Sequence, residues 1–229
     1  MLILALDTAL KSCSVAILAG ETVRADLHEC LEKGHAERLA PMAIEALAAA
    51  GVAVKDLDRV GVVIGPGGFA GVRVGLAFAR GLALGTGLDV VGVTSLAALA
   101  GALRRREGEL IAAVIDARRG QVYAALYDAD LTVRMPPFVA APGEALAKLT
   151  AAASGAPVRL TGAGADLIAP HPDFSAREAA ADIDAKIVAR LAAFAAPPVG
   201  PPSPLYLRPP DAKPGAPSPF AGLFEKGPA

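Results

Sequence analysis

The chain predicts an α/β protein of two related lobes, and three observations carry that reading. The first is an internal echo. Leu2–Asp7 followed by Ser12–Leu18 is matched by Leu110–Asp116 followed by Gln121–Leu126: a buried strand, an aspartate at its end, a tight turn and a second strand. The second is the segment Gly65–Gly81. An apolar strand, Val60–Ile64, runs into a glycine turn and then a glycine-spaced helix. The third is the alternation of apolar runs with helical spacings along the whole chain, the pattern of strands joined by helical crossovers.

The elements follow in order. Leu2–Leu6, Ser12–Ala19 and Thr22–His28 read as a meander, with Gly20-Glu21 at one turn. Leu39, Met42, Ala43, Ala46, Leu47 and Ala50 recur at helical spacing, and Gly51 is the stop. Pro41 kinks this helix or sits in its first turns. Strand 60–64 and the helix of residues 71–86 come next, then a short strand, Val90–Val93. Thr94-Ser95 supplies an N-cap for a helix over Leu96–Leu103. The second round has strands at Leu110–Ile115, Gln121–Tyr127 and Thr132–Val139, a helix at Gly143–Ala153, a strand at Val158–Thr161 and the turn Gly162-Ala163-Gly164. A long helix is expected over Arg177–Ala196. Prolines crowd the stretch from Pro197 onward, which reads as an extended tail. The expected lobes are residues 1–103 and 104–196, with 197–229 as the tail.

Composition bounds the function. The chain has 229 residues, 54% of them hydrophobic and 20% charged, with a formal net charge of −1. That balance does not support electrostatic nucleic-acid binding by the chain alone. Aromatics make up 4% and Trp is absent, which argues against a stacking platform for single strands. Arg104–Arg106 and Arg118–Arg119 are the basic clusters and read as solvated edges. Cys13 and Cys30 are too few for a disulfide framework or a zinc site. The opening Met-Leu-Ile-Leu-Ala-Leu-Asp has no basic region and meets a charge at Asp7, so it reads as a strand rather than a leader. No apolar run reaches membrane-spanning length, and the expected compartment is the cytoplasm.

The glycine segment is neither a P-loop, since no Lys-Ser or Lys-Thr follows, nor a dinucleotide fingerprint. Gly71, Gly75 and Ala79 are four apart and form a shallow strip. Glycine inside a helix costs roughly 1 kcal/mol against alanine, so something close-packed must offset it. Two readings stand: the strip packs on its own sheet, or it clears a face for a second polypeptide.

Six motifs then identify a resemblance covering nearly the whole chain. They are Leu6-Asp-Thr-Ala9, His35-Ala-Glu-Arg-Leu-Ala-Pro-Met42, Gly65-Pro-Gly-Gly-Phe-Ala-Gly-Val-Arg-Val-Gly75, Thr94-Ser-Leu96, Asp116-Ala-Arg-Arg-Gly-Gln-Val-Tyr123 and Pro204-Leu-Tyr-Leu-Arg208. Their order and spacing resemble the TsaB family, also called YeaZ, of tRNA threonylcarbamoyladenosine biosynthesis. The resemblance implies an actin-like, sugar-kinase-like and Hsp70-like ATPase fold of two RNase H-like lobes, with mixed sheets and flanking helices. It implies a non-catalytic subunit that pairs with TsaD, the transferase acting on adenosine 37 of tRNAs that read codons beginning with A. TsaE, a P-loop ATPase, joins the pair, and tRNA is met through the complex. A self-dimer through the same helices is also implied.

Residue by residue, the resemblance carries Asp7, Thr8, Asp116, Gly162 and Gly164 onto positions that touch phosphate, magnesium or adenosine in ATPases of this fold. Bulky Leu10 and Lys11, and Arg118-Arg119 in the second turn, point to a vestigial site. No tightly bound cofactor is expected, and at most weak ATP or ADP with magnesium. The expected partner surface is the pair of helices 35–50 and 71–86, through His35, Arg38, Leu39, Met42, Gly71, Arg73, Gly75, Phe78 and Ala79. In the catalytic relative two histidines four apart on this helix help hold a metal. Here position 39 is Leu, and neither His28 nor His171 is an obvious replacement, so no metal site and no transferase activity are expected. No serine has a histidine at a spacing that suggests a nucleophilic triad. Two other readings stay open: a small ATPase of the same fold, and a direct tRNA-binding module. Tyr206 and Arg208 look like anchors that fold the tail back onto the protein.

Overall fold

The computed structural model describes residues 1–104, 106–168, 174–178 and 182–208. His171 and the tail beyond Arg208 lie outside them.

Two five-stranded mixed sheets share one strand order. The first is built from β1 (Leu2–Asp7), β2 (Ser12–Ala19), β3 (Thr22–Cys30), β4 (Arg59–Val63) and β5 (Asp89–Val93), arranged β3-β2-β1-β4-β5. The second comprises β6 (Leu110–Arg118), β7 (Gln121–Tyr127), β8 (Val133–Ala140), β9 (Val158–Thr161) and β10 (Phe174–Glu178), arranged β8-β7-β6-β9-β10. In each, the meander pairs antiparallel and the last two strands add in parallel. This duplication is the echo between Leu2–Leu18 and Leu110–Leu126 made structural. It gives the actin-like arrangement of two RNase H-like lobes.

Five helices connect and cover the strands: α1 (His35–Ala50), α2 (Phe69–Thr86), α3 (Ser95–Gly101), α4 (Pro142–Ala153) and α5 (Ala185–Phe194). α1 and α2 pack on the outer face of the first sheet, and α4 covers β7 and β8 of the second. α5 lies on the inner face of the first sheet, against β1, β2 and β4. Gly61 sits under it, where a Cβ would come within 2.9 Å of the Ala192 Cβ. Arg59, buried in β4, donates from Nη1 to the Ala192 and Ala195 carbonyls at 2.7 and 2.9 Å. A cation at a helix C-terminus satisfies carbonyls that have no partner within the helix. α3, in turn, leaves the first sheet and packs on β6, β7 and α5. The strands therefore divide between β5 and β6, while α3 and α5 each cover the other half's sheet. One core joins them: Ile3, Ala5, Val188 and Ala192 are continuous with Ile111, Ala113, Ile115 and Tyr127. A second core lies between Val114, Ala124 and Leu126 of the second sheet and Leu149 of α4.

Local signals mostly act as expected. The Thr94 hydroxyl accepts from the Ala97 N–H at 3.1 Å and caps α3. Gly51 ends α1 at φ 67°, a conformation cheap only for glycine. Several boundaries differ: β3 runs on to Cys30 and β6 to Arg118, and α3 ends at Gly101 rather than Leu103. α2 begins at Phe69, two residues before the expected start. Within the expected helix over Arg177–Ala196, Arg177 and Glu178 instead close strand β10 and α5 begins at Ala185, with residues 179–181 outside the described ones; the α5 N-cap Asp184 accepts from the Lys186 N–H at 3.0 Å. The strand adds to the open edge of β9, and that edge overrides the helical propensity of Arg177 and Glu178.

Candidate functional site

The first-strand aspartates end up in unlike surroundings. Asp7 is fully buried. One carboxylate oxygen accepts from the Ala9 N–H at 2.9 Å, and the other has no hydrogen-bond partner among the described residues. Burial pushes its pKa up to about 8; backbone hydrogen bonds pull down, and the Asp182 carboxylate pushes further up. At neutral pH this carboxyl is largely protonated. The Thr8 hydroxyl donates to the Gly71 carbonyl at 2.7 Å. Asp116 accepts from the Arg118 N–H at 2.7 Å and pairs with the Arg118 guanidinium at 3.2 Å. A Cβ at Gly162 would fall on the Val114 carbonyl oxygen, and one at Gly164 would come within 2.8 Å of the Asp116 nitrogen. These glycines let backbone meet backbone. A fully buried aspartate, a hydroxyl committed to Gly71 and an arginine-paired carboxylate make a poor seat for a magnesium–nucleotide.

The glycine strip faces inward. A Cβ on Gly71 would fall on the Thr8 carbonyl oxygen; one on Gly75 would come within 2.9 Å of the Thr8 Oγ1 and 3.4 Å of Val62. Ala79 is buried. The Gly68 N–H donates to the Ala9 carbonyl at 2.7 Å, and the close approach of α2 to β1 depends on these bare positions. Leu39 and Met42 are also core residues, buried beneath α1. This corrects the expected partner surface: Leu39, Met42, Gly71, Gly75 and Ala79 pack against the protein's own first sheet. Phe78 is half-buried against the same core. Period alone cannot say which face of a helix meets its sheet, and α2 carries small residues on both.

The outer face presents other side chains. Ile44 is 68% exposed, Phe69 59% and Leu84 89%. Ala70, Ala77, Gly81 and Gly85 are exposed too, and a Cβ at Gly81 or Gly85 would meet nothing within 4 Å. Sequence reasoning passed over these residues, although Ile44 breaks the buried spacing of α1. Arg73 lies on this face with its guanidinium 3.3 Å from the Phe69 ring centre, and it donates to the Tyr206 hydroxyl at 2.9 Å. Arg38 is clasped between Glu29 and Glu45, which raises its pKa and lowers theirs. It is committed within the chain.

His35 opens α1 with its Nε2 buried and without a hydrogen-bond partner among the described residues. It lines a groove of about 480 Å³ with Thr8, Leu10, Lys33, Phe69 and Gly71, where the starts of α1 and α2 meet the turn after β1. The tail is anchored as Tyr206 and Arg208 suggest. The Leu205 N–H donates to the Ile64 carbonyl at 2.8 Å, Arg80 binds the Pro202 carbonyl, and Arg208 reaches Gln121 and the Ala117 carbonyl in the second lobe. Among the described residues, no helix is long and apolar enough to cross a membrane.

Comparison with known proteins matches this geometry to one family. Residues 28–193 match the family described as TsaD: tRNA N6-adenosine threonylcarbamoyltransferase. The chain is 42% identical over 131 residues to the tRNA threonylcarbamoyladenosine biosynthesis protein TsaB of Escherichia coli, covering 57% of this chain and 56% of that one. It is 39% identical over 127 residues to the TsaB of Bacillus subtilis, covering 56% and 55%. The matched region thus spans about half the length of these curated relatives. Over nearly its full length it is similar to a Mycobacterium bovis protein, at 36% identity over 93% of this chain and 94% of that one. Among solved structures, a Pseudomonas aeruginosa protein described as similar to peptidase YeaZ superposes with a TM-score of 0.79 at 31% identity, covering 90% of this chain and 99% of that one. YeaZ from Pseudomonas aeruginosa gives 0.74 at 32%, covering 84% and 91%. With the duplicated sheets, the glycine-packed α2 and the anchored Pro204–Arg208 segment in place, the chain belongs to the TsaB (YeaZ) family.

Proposed function

We propose that this chain is a non-catalytic, partner-activating subunit in the formation of N6-threonylcarbamoyladenosine at position 37 of tRNAs that read codons beginning with A. It pairs with TsaD, is joined by TsaE, and meets tRNA through the complex. The observation that carries this reading is the state of the phosphate positions. Asp7, Thr8 and Asp116 are used up by burial, by Gly71 and by Arg118. Leu39, buried four residues after His35, stands where the catalytic relative has its second metal-holding histidine. The apolar, small-residue outer face of α1 and α2, with Ile44, Ala77, Gly81 and Leu84, is the docking surface in this reading. An exposed patch of this kind marks an interaction site. The same face serves the self-dimer, so TsaD and a second copy compete for it.

The test is reconstitution of adenosine-37 modification with TsaD, TsaE and the adenylate donor. Omitting this chain abolishes product. Ile44→Arg with Leu84→Arg leaves its melting temperature unchanged but removes both pairing and product. Full activity from that double variant would refute the docking face. Product formed without the chain would refute the activating role.

A further inference from the structure

Three side chains that offer metal ligands meet on the inner face of the first sheet, away from the outer helical face. His28 and Cys30 stand two apart on β3, so both side chains leave the same side of the strand. Asp182 comes from the segment that enters α5. One ligand atom of each, a ring nitrogen, a thiol sulfur and a carboxylate oxygen, lies within 4.8 Å of the others. The segment carrying Asp182 is held over this face. The Ser14 hydroxyl donates to the Ile183 carbonyl at 3.3 Å, and Lys186 bridges Asp184 to Asp26 of β3 at 3.0 and 2.7 Å.

The surroundings point independently to a cation. Strand register sets Ser12 opposite Cys30, Ser14 opposite His28, and Asp7 opposite Ser14. All of these side chains share one face of the sheet. On that face, among the described residues, the hydroxyl oxygen of fully buried Ser12 has no hydrogen-bond partner, and one buried oxygen of Asp182 has none either. Buried polar atoms are nearly always paired. Unpaired oxygens beside a histidine and a thiol are relieved by a positive ion and the water it carries.

We propose that His28, Cys30 and Asp182 form a site for a zinc-class divalent ion, which clamps the edge strand β3 to the segment entering α5. Thiolate and imidazole together select zinc or a similar transition metal over magnesium or calcium. Zinc holds such ligands at about 2.0–2.3 Å in a tetrahedron. The cluster closes around the ion on binding, and water fills the fourth position. Binding releases the thiol proton to solvent. The Ser12 hydroxyl, opposite Cys30, is set to donate to the thiolate from outside the ligand shell.

The test uses the full chain, stripped with a chelator and kept reduced with a phosphine, titrated with Co²⁺. One equivalent binds, with a near-ultraviolet thiolate-to-metal band and the visible bands of four-coordinate cobalt, and Zn²⁺ displaces it. Cys30→Ser removes the near-ultraviolet band. His28→Ala and Asp182→Asn each weaken binding by at least about tenfold, the lower limit for groups that matter to a metal site. Cys13→Ser, on the opposite face of β2, leaves the titration unchanged. Excess Zn²⁺ raises the melting temperature of the wild type and not of His28→Ala. The variants lie on an exposed edge and a loop, and far-ultraviolet circular dichroism verifies their fold. Absence of saturable 1:1 uptake, or a thiolate band that survives Cys30→Ser, overturns the site.

Discussion

Replacing Gly71 with alanine tests the inward-facing strip most directly, and Gly81→Ala on the same helix is its matched control. At Gly81 a new Cβ meets nothing within 4 Å, so the variant gains the helix propensity of alanine, about 1 kcal/mol. At Gly71 the same methyl lands on the Thr8 carbonyl oxygen. That oxygen belongs to backbone, at the end of β1, and cannot rotate away. Shifting α2 outward also strains the Thr8 hydroxyl bond to the Gly71 carbonyl and the Gly68 bond to Ala9. Overpacking of this kind costs about 3 kcal/mol at its upper end. The propensity gain recovers about 1 kcal/mol, leaving Gly71→Ala about 2 kcal/mol less stable. The two variants, one methyl each and ten residues apart, should then differ by about 3 kcal/mol, or roughly 6–12 °C in melting temperature for a chain of this size. Thermal and urea unfolding followed by circular dichroism measure both. A Gly71→Ala variant as stable as Gly81→Ala would refute the packing argument, because the strip would then be open to solvent.

Other outcomes follow from the same structure. Asp7 has its pKa raised from 3.8 to about 8 in the folded chain, so folding takes up a proton between those values. Its contribution to stability is fully present below pH 3.8 and is lost as the pH rises through about 8. With a chelator present, Asp7→Asn flattens the fall in melting temperature between pH 5 and 8.5 (about the window the shift defines); an unchanged slope counts against a neutral Asp7. Arg73→Ala removes the stack on Phe69 and the bond to Tyr206, and limited proteolysis then cuts residues 201–208 faster than in the wild type. The expected stability loss is about 1 kcal/mol or less, as for an exposed cation–π contact. If one outer face serves both pairings, as proposed, adding TsaD converts a self-dimer of this chain to a heterodimer, read by light scattering. A larger assembly that keeps the self-contact would contradict a shared face.

Much of the fold was legible because it repeats. The aspartate-ended strands at Asp7 and Asp116 mark equivalent places in two sheets of identical order, and a duplicated pattern is visible without any coordinate. Thr94, Gly51 and the anchors Tyr206 and Arg208 announce local chemistry that tertiary context did not override. The failures have one physical origin. Gly71 and Gly81 look alike in a sequence, and only the position of Thr8 separates a glycine packed against backbone from one open to solvent. Arg177 begins no helix because β9 offers a parallel edge, which lies far from it along the chain. Asp182 gave no sign of reaching His28 and Cys30, since α5 carries it back across the molecule to the first sheet.

That return of α5 has a consequence for how the chain is made. The inner side of the first sheet, with Ile3, Ala5 and Gly61, is covered by Val188 and Ala192. A ribosome that has finished β5 still has about a hundred residues to add before this cover exists, a delay of roughly 5–20 s at 5–20 residues per second. During that interval the nascent first half displays an unfinished apolar face. It is then a natural client for a chaperone, and a transcript stalled before α5 would yield a product that aggregates rather than a stable half-protein.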